Sequence, residues 1–267
     1  QDEVICYKGA HIYKYEGGGL AYNAQVSTRT IAATDGILTP AQVTANINPD
    51  NIHYPSTKVV ALENSVNRAG GTCYSLPQIA GVVQEARKHQ LKTHLDGARV
   101  FNALVAKGEK AQDYGQYFDT ISVCLSKGLG CPIGSLVVGS KALMKKAKRS
   151  RKVLGGAMRQ VGYLAAAGIY ALDHHVARLA EDHQRAKNIA DYLATKGYVS
   201  NLVAPQTNIV LFDLPNLEIV NRLLAHLKSN GILAGMMDAL TMRFVTHLDF
   251  DDDQLTQFLK VLDAFEA

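Results

Sequence analysis

Residues 119–130 read DTISVCLSKGLG. Val123, Cys124 and Leu125 make a short continuous apolar run, the pattern of a strand buried in a parallel sheet covered on both faces. Lys127 follows it, between a serine and two glycines. Its amine would therefore stand near the sheet's carboxyl edge, where open α/β folds bind ligands. Gly128 and Gly130 would let the backbone turn sharply there. A lysine in such a loop is more often solvated surface than site, so its reading depends on what else the chain brings to that edge.

Working outward, KTHLD (92–96) reads as a strand that ends on Asp96, KVVALEN (58–64) as a buried strand and EVICY (3–7) as a short strand that opens abruptly. EGGG at 16–19 supplies backbone freedom for a turn. Between the strands, SLPQIAGVVQEARKHQ opens with Ser75, Pro77 and Gln78, a capping-box-like helix start with proline in the first turn. Ile79, Val82, Val83 and Ala86 then recur at helical spacing. GSLVVGS (134–140) looks like a strand turning straight back. This alternation predicts an α/β sheet.

From Met158 the pattern changes to longer helices, GYLAAAGIYAL and then VARLAEDHQRAKNIADYLATKG, with Gly197 as the expected stop. NIVLFDL, a helix at 216–229, short strands near 231–235 and 241–246, and a helix over 252–265 form an α+β unit. The expected division is a large domain at 1–157, connecting helices at 158–198 and a small C-terminal α+β domain at 199–267.

Bulk properties exclude several classes. With 267 residues, 47% hydrophobic and 19% charged, the chain suits one sizeable domain or a large one with an appendage. A net charge of +4 is too mild to argue for nucleic acid. The densest basic run, KKAKRSRK (145–152), reads as a solvated helical face, or as a contact to phosphate or a partner subunit. Cys6, Cys73, Cys124 and Cys131 show no CxxC spacing and no neighbouring histidine pattern, so neither a metal nor a disulfide framework is expected. Free thiols fit a reducing cytosol. No apolar run reaches the ~18–20 residues that span a bilayer, and the first residues carry no signal-peptide pattern. The expectation is a cytoplasmic protein with neither membrane nor nucleic acid as partner.

Asp96 and Lys127 matter together: on parallel strands, both would face one crevice. As a bare pair they could form only a surface salt bridge, worth ~0–1 kcal/mol. The glycine-bordered flanks, LDGAR (95–99) and LSKGLG (125–130), argue for more.

Here a resemblance enters. LDGARVFNA (95–103), SVCLSKGLGCPIGSLVVGS (122–140), GGAMRQ (155–160), GYLAAAGIYAL (162–172) and RFVTHLD (243–249) resemble the low-specificity L-threonine aldolase family, in order along the whole chain. The resemblance implies a PLP-dependent transferase-like (fold type I) large domain with a mixed, mostly parallel sheet, plus the small α+β domain. It implies pyridoxal 5'-phosphate as cofactor, condensed through its aldehyde with Lys127. Asp96 would hold the pyridine nitrogen's proton. Arg99 would sit near the phenolic oxygen. His11 would stack on the ring and move a proton. Arg243 resembles a clamp for the substrate carboxylate, although a plain strand-surface arginine is the rival reading. Lys152 and Arg159 resemble residues that reach the cofactor phosphate, in a homodimer or homotetramer across the subunit interface. His94 could orient Asp96 or simply pack.

The implied reaction cleaves L-threonine, L-allo-threonine or a related β-hydroxy-α-amino acid to glycine and an aldehyde. The alternatives are a β-eliminating amino-acid lyase of the same fold, which would release ammonia and pyruvate, or a shortened, catalytically impaired relative.

Two departures qualify the resemblance. LENSVNRAGGTCY (62–74) carries Val66 where the family often has a histidine, and valine cannot shuttle a proton. His11 with water would then handle the hydroxyl, or the substrate would differ from threonine. The GGTCY run could reshape the pocket. The chain also begins where family members are already well into the large domain, without a Ser/Thr-Gly-Thr-like phosphate loop before a helix. The expectation is weak cofactor retention and some exposed apolar surface.

Overall fold

The computed structural model describes residues 1–266. Six strands form the first sheet: β1 (Asp2–Tyr7), β2 (Ser27–Ile31), β3 (Ser56–Glu63), β4 (Lys92–Gly97), β5 (Thr120–Cys124) and β6 (Ser135–Gly139). Their order is β2-β1-β3-β4-β5-β6. The first five run parallel, and β6 returns antiparallel to β5. A second sheet contains β7 (Asn201–Val203), β8 (Ile209–Asp213), β9 (Gly235–Met236) and β10 (Thr241–Val245), in the antiparallel order β7-β8-β10-β9.

The apolar runs form strands because helices cover them. Helix Leu76–Lys88 presents Ile79, Val82, Val83 and Ala86 to Ile5, Val60, Leu62 and Leu95 of β1, β3 and β4. Its start is the capping box of Ser75 and Gln78, with the Ser75 N–H donating to Gln78 Oε1 at 2.8 Å. Such a cap is worth ~1 kcal/mol. On the sheet's other face Val4 and Cys6 pack with Ala10 and Ala61. A separate core joins helix Leu179–Leu193 (Ala186, Ile189, Leu193) to Phe212 of β8, Met242 of β10 and helices Leu217–Ser229 and Asp252–Asp263.

The two cores meet at close approaches. Gly128 lies under the start of helix Leu179–Leu193, and a Cβ there would come within 2.9 Å of Leu179 Cδ2. Gly128 is therefore needed for proximity, while Gly130, at φ 72°, supplies the turn. Gly70 and Gly71 of the GGTCY run lie against Val203 and Thr207, and the Cys73 N–H donates to Gln206 Oε1 at 3.2 Å.

Some local expectations need correction. Helix Leu179–Leu193 ends at Ala194, before Gly197, and the strand expected near 231–235 is confined to Gly235–Met236. β2 carries no apolar run because it is an edge strand; its Arg29 pairs with Glu3 on β1 at 3.1 Å.

Candidate active site

Parallel register places Glu63, Asp96 and Ser122 side by side near the carboxyl ends of β3, β4 and β5. Register partners in a sheet project to the same face. Lys127 follows three residues after β5 ends at Cys124, so amine and carboxylates leave the same edge. Asp96 is buried, and its Oδ1 accepts the Ala98 N–H at 3.1 Å. Among the described residues its carboxylate has no other hydrogen bond, and the half-buried Lys127 has no ion-pair partner.

His94 shares the face of Asp96, but its Nδ1 lies 2.9 Å from Thr120 Oγ1 and no hydrogen bond joins it to Asp96. Burial holds the His94 imidazole below its usual range, with Asp96 pulling the other way.

Arg99 caps the start of helix Val100–Lys107, and Arg243 sits on β10 of the second sheet. They converge on one neutral atom. Arg243 Nη1 donates to Asn67 Oδ1 at 2.7 Å, and Arg99 Nη1 lies 3.5 Å from the same oxygen. Burial, then Arg243, draws the Arg99 guanidinium down, and burial draws Arg243 down. Both remain cations at any working pH. Two cations sharing a neutral acceptor make a ready place for a carboxylate or an oxyanion.

His11 opens the short helix His11–Lys14; its backbone N–H donates to Glu63 Oε2 at 2.8 Å. Its ring lies 4.8 Å from that of Tyr15, and its Nδ1 3.3 Å from Glu16 Oε1. Arg68 ties this segment to the second sheet's loop. It donates to the Tyr15 hydroxyl at 2.8 Å and pairs with Asp238.

Lys152 and Arg159 are exposed and make no side-chain hydrogen bond or ion pair among the described residues. Val66 is wholly buried in the first core, against Gly36, and does not offer a side chain to the crevice.

Sequence reasoning missed Glu63, Asn67 and Arg68. Glu63 had a readable signal, a carboxylate ending a buried strand in KVVALEN, the same feature that singled out Asp96. Asn67 had none, since its partner Arg243 is 176 residues away.

The donor set fits a small anionic heteroaromatic aldehyde: a free amine, a buried carboxylate with an uncommitted oxygen, and two converging guanidiniums.

The beta-eliminating lyase family matches residues 1–215. The low-specificity L-threonine aldolase of Escherichia coli K12 is 40% identical over 267 residues, covering 100% of this chain and 78% of its own. Low-specificity L-threonine aldolase 1 of Arabidopsis thaliana is 38% identical over 251 residues, covering 92% of this chain and 70% of its own. Leishmania major threonine aldolase superposes with a TM-score of 0.82 at 21% identity, covering 98% of this chain and 77% of that one. That likeness shows the fold, an α/β fold-type-I architecture with a mixed, mostly parallel sheet.

Proposed function

The chain belongs to the beta-eliminating lyase family and is related throughout to low-specificity L-threonine aldolases, and we propose that it cleaves L-threonine, L-allo-threonine or a close β-hydroxy-α-amino acid to glycine and an aldehyde. The observation that supports this reading is the Asn67 oxygen bridging Arg99 and Arg243, beside the sheet edge at which β4 carries Asp96 and from which the chain leads, three residues past β5, to Lys127.

Pyridoxal 5'-phosphate would be held by Lys127 at its aldehyde carbon, Asp96 at the pyridine nitrogen, Arg99 at the phenolic oxygen and His11 over the ring face. When bound, it supplies an electron sink for carbon–carbon cleavage. The chain's own residues do the rest. Arg243 receives the substrate carboxylate through its planar guanidinium, a bidentate match. Asn67 Oδ1 keeps that guanidinium and Arg99 in register without neutralising either. The His11 imidazole takes the β-hydroxyl proton, directly or through a water. A positioned base of this kind contributes ~10²–10⁴-fold. Val66, being buried, takes no part.

Lys152 and Arg159 act from a second copy of the chain, reaching its cofactor phosphate. The segment 133–172 holds eight lysines and arginines and no acidic residue, together with exposed Val137, Val138, Tyr163 and Ile169. Self-association through this face, as homodimer or homotetramer, would cover the apolar groups and bring the cations to anions. The same reading divides the chain at 1–157, 158–198 and 199–267. A cytoplasmic setting goes with it, since all four cysteines are free thiols. Among the described residues no helix is long and apolar enough to cross a membrane.

The test is product analysis of the purified chain with pyridoxal phosphate and L-threonine. Glycine and acetaldehyde are expected. Pyruvate and ammonia would replace this reading with β-elimination, and no product from any β-hydroxy amino acid would leave a silent relative.

A further inference from the structure

Both oxygens of Glu63 are committed to backbone at the centre of the site. Oε2 accepts the His11 N–H and Oε1 the Asn67 N–H, each at 2.8 Å. Each donor opens a short helical turn, His11–Lys14 and Asn67–Ala69. Asn67 then extends the connection, because its side-chain oxygen receives Arg243 at 2.7 Å and lies 3.5 Å from Arg99. From one buried carboxylate, at 7% exposure, the contacts reach the histidine and both arginines.

We propose that Glu63 is a positioning residue that fixes His11 and the Arg99–Asn67–Arg243 bridge relative to each other, and that only its ionised form does so. The proposal rests on the aldolase reading for the roles of those three side chains. The chemistry of the carboxyl group supplies the second half. Ionised, it presents two acceptor oxygens to two N–H donors. Protonated, it keeps one acceptor and turns a hydroxyl donor toward the other N–H, so one of the two segments is released.

The surroundings bring this change into the working range. Burial pushes the Glu63 carboxyl up to about 7, with Asp96 adding to the rise and the two N–H donors and Arg99 opposing it. The titratable groups facing it are Asp96 on β4, Arg99 after β4, Cys6 and Tyr7 on β1, and Tyr74 beyond the GGTC turn. Burial raises Cys6, Tyr7 and Tyr74, so these stay neutral at neutral pH and add no competing charge.

Glu63→Gln keeps the shape, offers one oxygen, turns an NH₂ toward the other donor and cannot titrate. The experiment measures kcat/KM for glycine formation by the whole chain with pyridoxal phosphate from pH 5.5 to 9. The expected wild-type profile falls on the acid side with a midpoint near 7. In Glu63→Gln the step belonging to Glu63 is lost from that limb, leaving only the fall that protonation of the His11 base imposes, and the rate at the alkaline end drops ~10–100-fold, the scale of a small misplacement of reacting groups. A second readout needs no turnover. In the substrate-free wild-type chain, the ¹⁵N–¹H signals of His11 and Asn67 titrate together near that midpoint, and in Glu63→Gln neither does. An acid limb unchanged in position and steepness in Glu63→Gln overturns the proposal, as do two amides that titrate apart or not at all. Should Glu63→Gln not fold, the wild-type amide titration decides alone. An absence of aldol products would instead sink the functional reading, and the amides would still report on Glu63.

Discussion

β3 and β6 belong to one sheet and read alike as sequence, KVVALE beside SLVVG, yet they live in different surroundings. Val60 and Leu62 of β3 are 0% and 3% exposed, under helix Leu76–Lys88. Every residue of β6 is exposed, with Val137 at 54%, and the basic helix Lys141–Val153 beside it buries nothing. The difference carries over to the charges. At the β3 end, burial makes an uncompensated carboxylate costly, so Glu63 is held by two N–H donors. Along 133–172 eight cations stand in water with no ion pair among the described residues, because solvent screens them. Apolar patterning names a strand; the cover over it decides whether its charges become chemistry.

Four measurements test the contrast between the covered and the open strand. The largest effect belongs to the sheet edge itself: if Lys127 is the covalent nucleophile proposed above, Lys127→Ala should lower glycine formation on the order of 10⁴-fold or more, since such a nucleophile has no substitute. Its melting temperature should stay within about two degrees of wild type, because Lys127 has no partner to lose. A large drop in melting temperature would make it structural. Next, Leu95→Ala in β4 should cost ~2–5 kcal/mol in urea unfolding, as Leu95 is fully buried.

The third is a pH effect. Glu63 binds its proton more tightly folded than unfolded, with its value raised from 4.5 to about 7. Its contribution to stability is thus fully present below pH 4.5 and is lost as pH rises through 7, by up to ~3 kcal/mol. Unfolding free energies of wild type and Glu63→Gln, compared from pH 4.5 to 8, should diverge in that sense; parallel curves would contradict it. The ionised form that would organise the site is the form that destabilises the fold, a trade found where function needs a buried charge.

The smallest effect is expected at β6. Val137→Glu should change the unfolding free energy of a dilute, dissociated chain by less than about 0.5 kcal/mol, while sedimentation shifts toward monomer if this face joins subunits. A core-sized loss there would show that β6 is covered more than its exposure indicates.

Legibility followed the range of the interactions. The helix at Leu76–Lys88 was readable to its capping box because Ser75 and Gln78 are three residues apart. β2 was not, because the Arg29 of its polar STRTI finds its side-chain partners in Glu3 and Asn48, which are distant in sequence. Of the candidate site, Asp96 and Lys127 were readable as polar residues after apolar runs. Asn67 and Arg68 were not, because they look like turn residues until the second sheet delivers Arg243 and Asp238.

The amino-acid order alone was enough to place most strands and helices and to put Asp96 near the end of β4 and Lys127 just beyond β5, since periodicity and capping act within a few residues. Only the folded chain decided that Glu63 is costly to ionise, that Val66 faces the core, and that two arginines 144 positions apart (243 − 99) converge near one asparagine oxygen. Burial and long-range contact are sums over segments distant in sequence, and they take a value only when those segments meet.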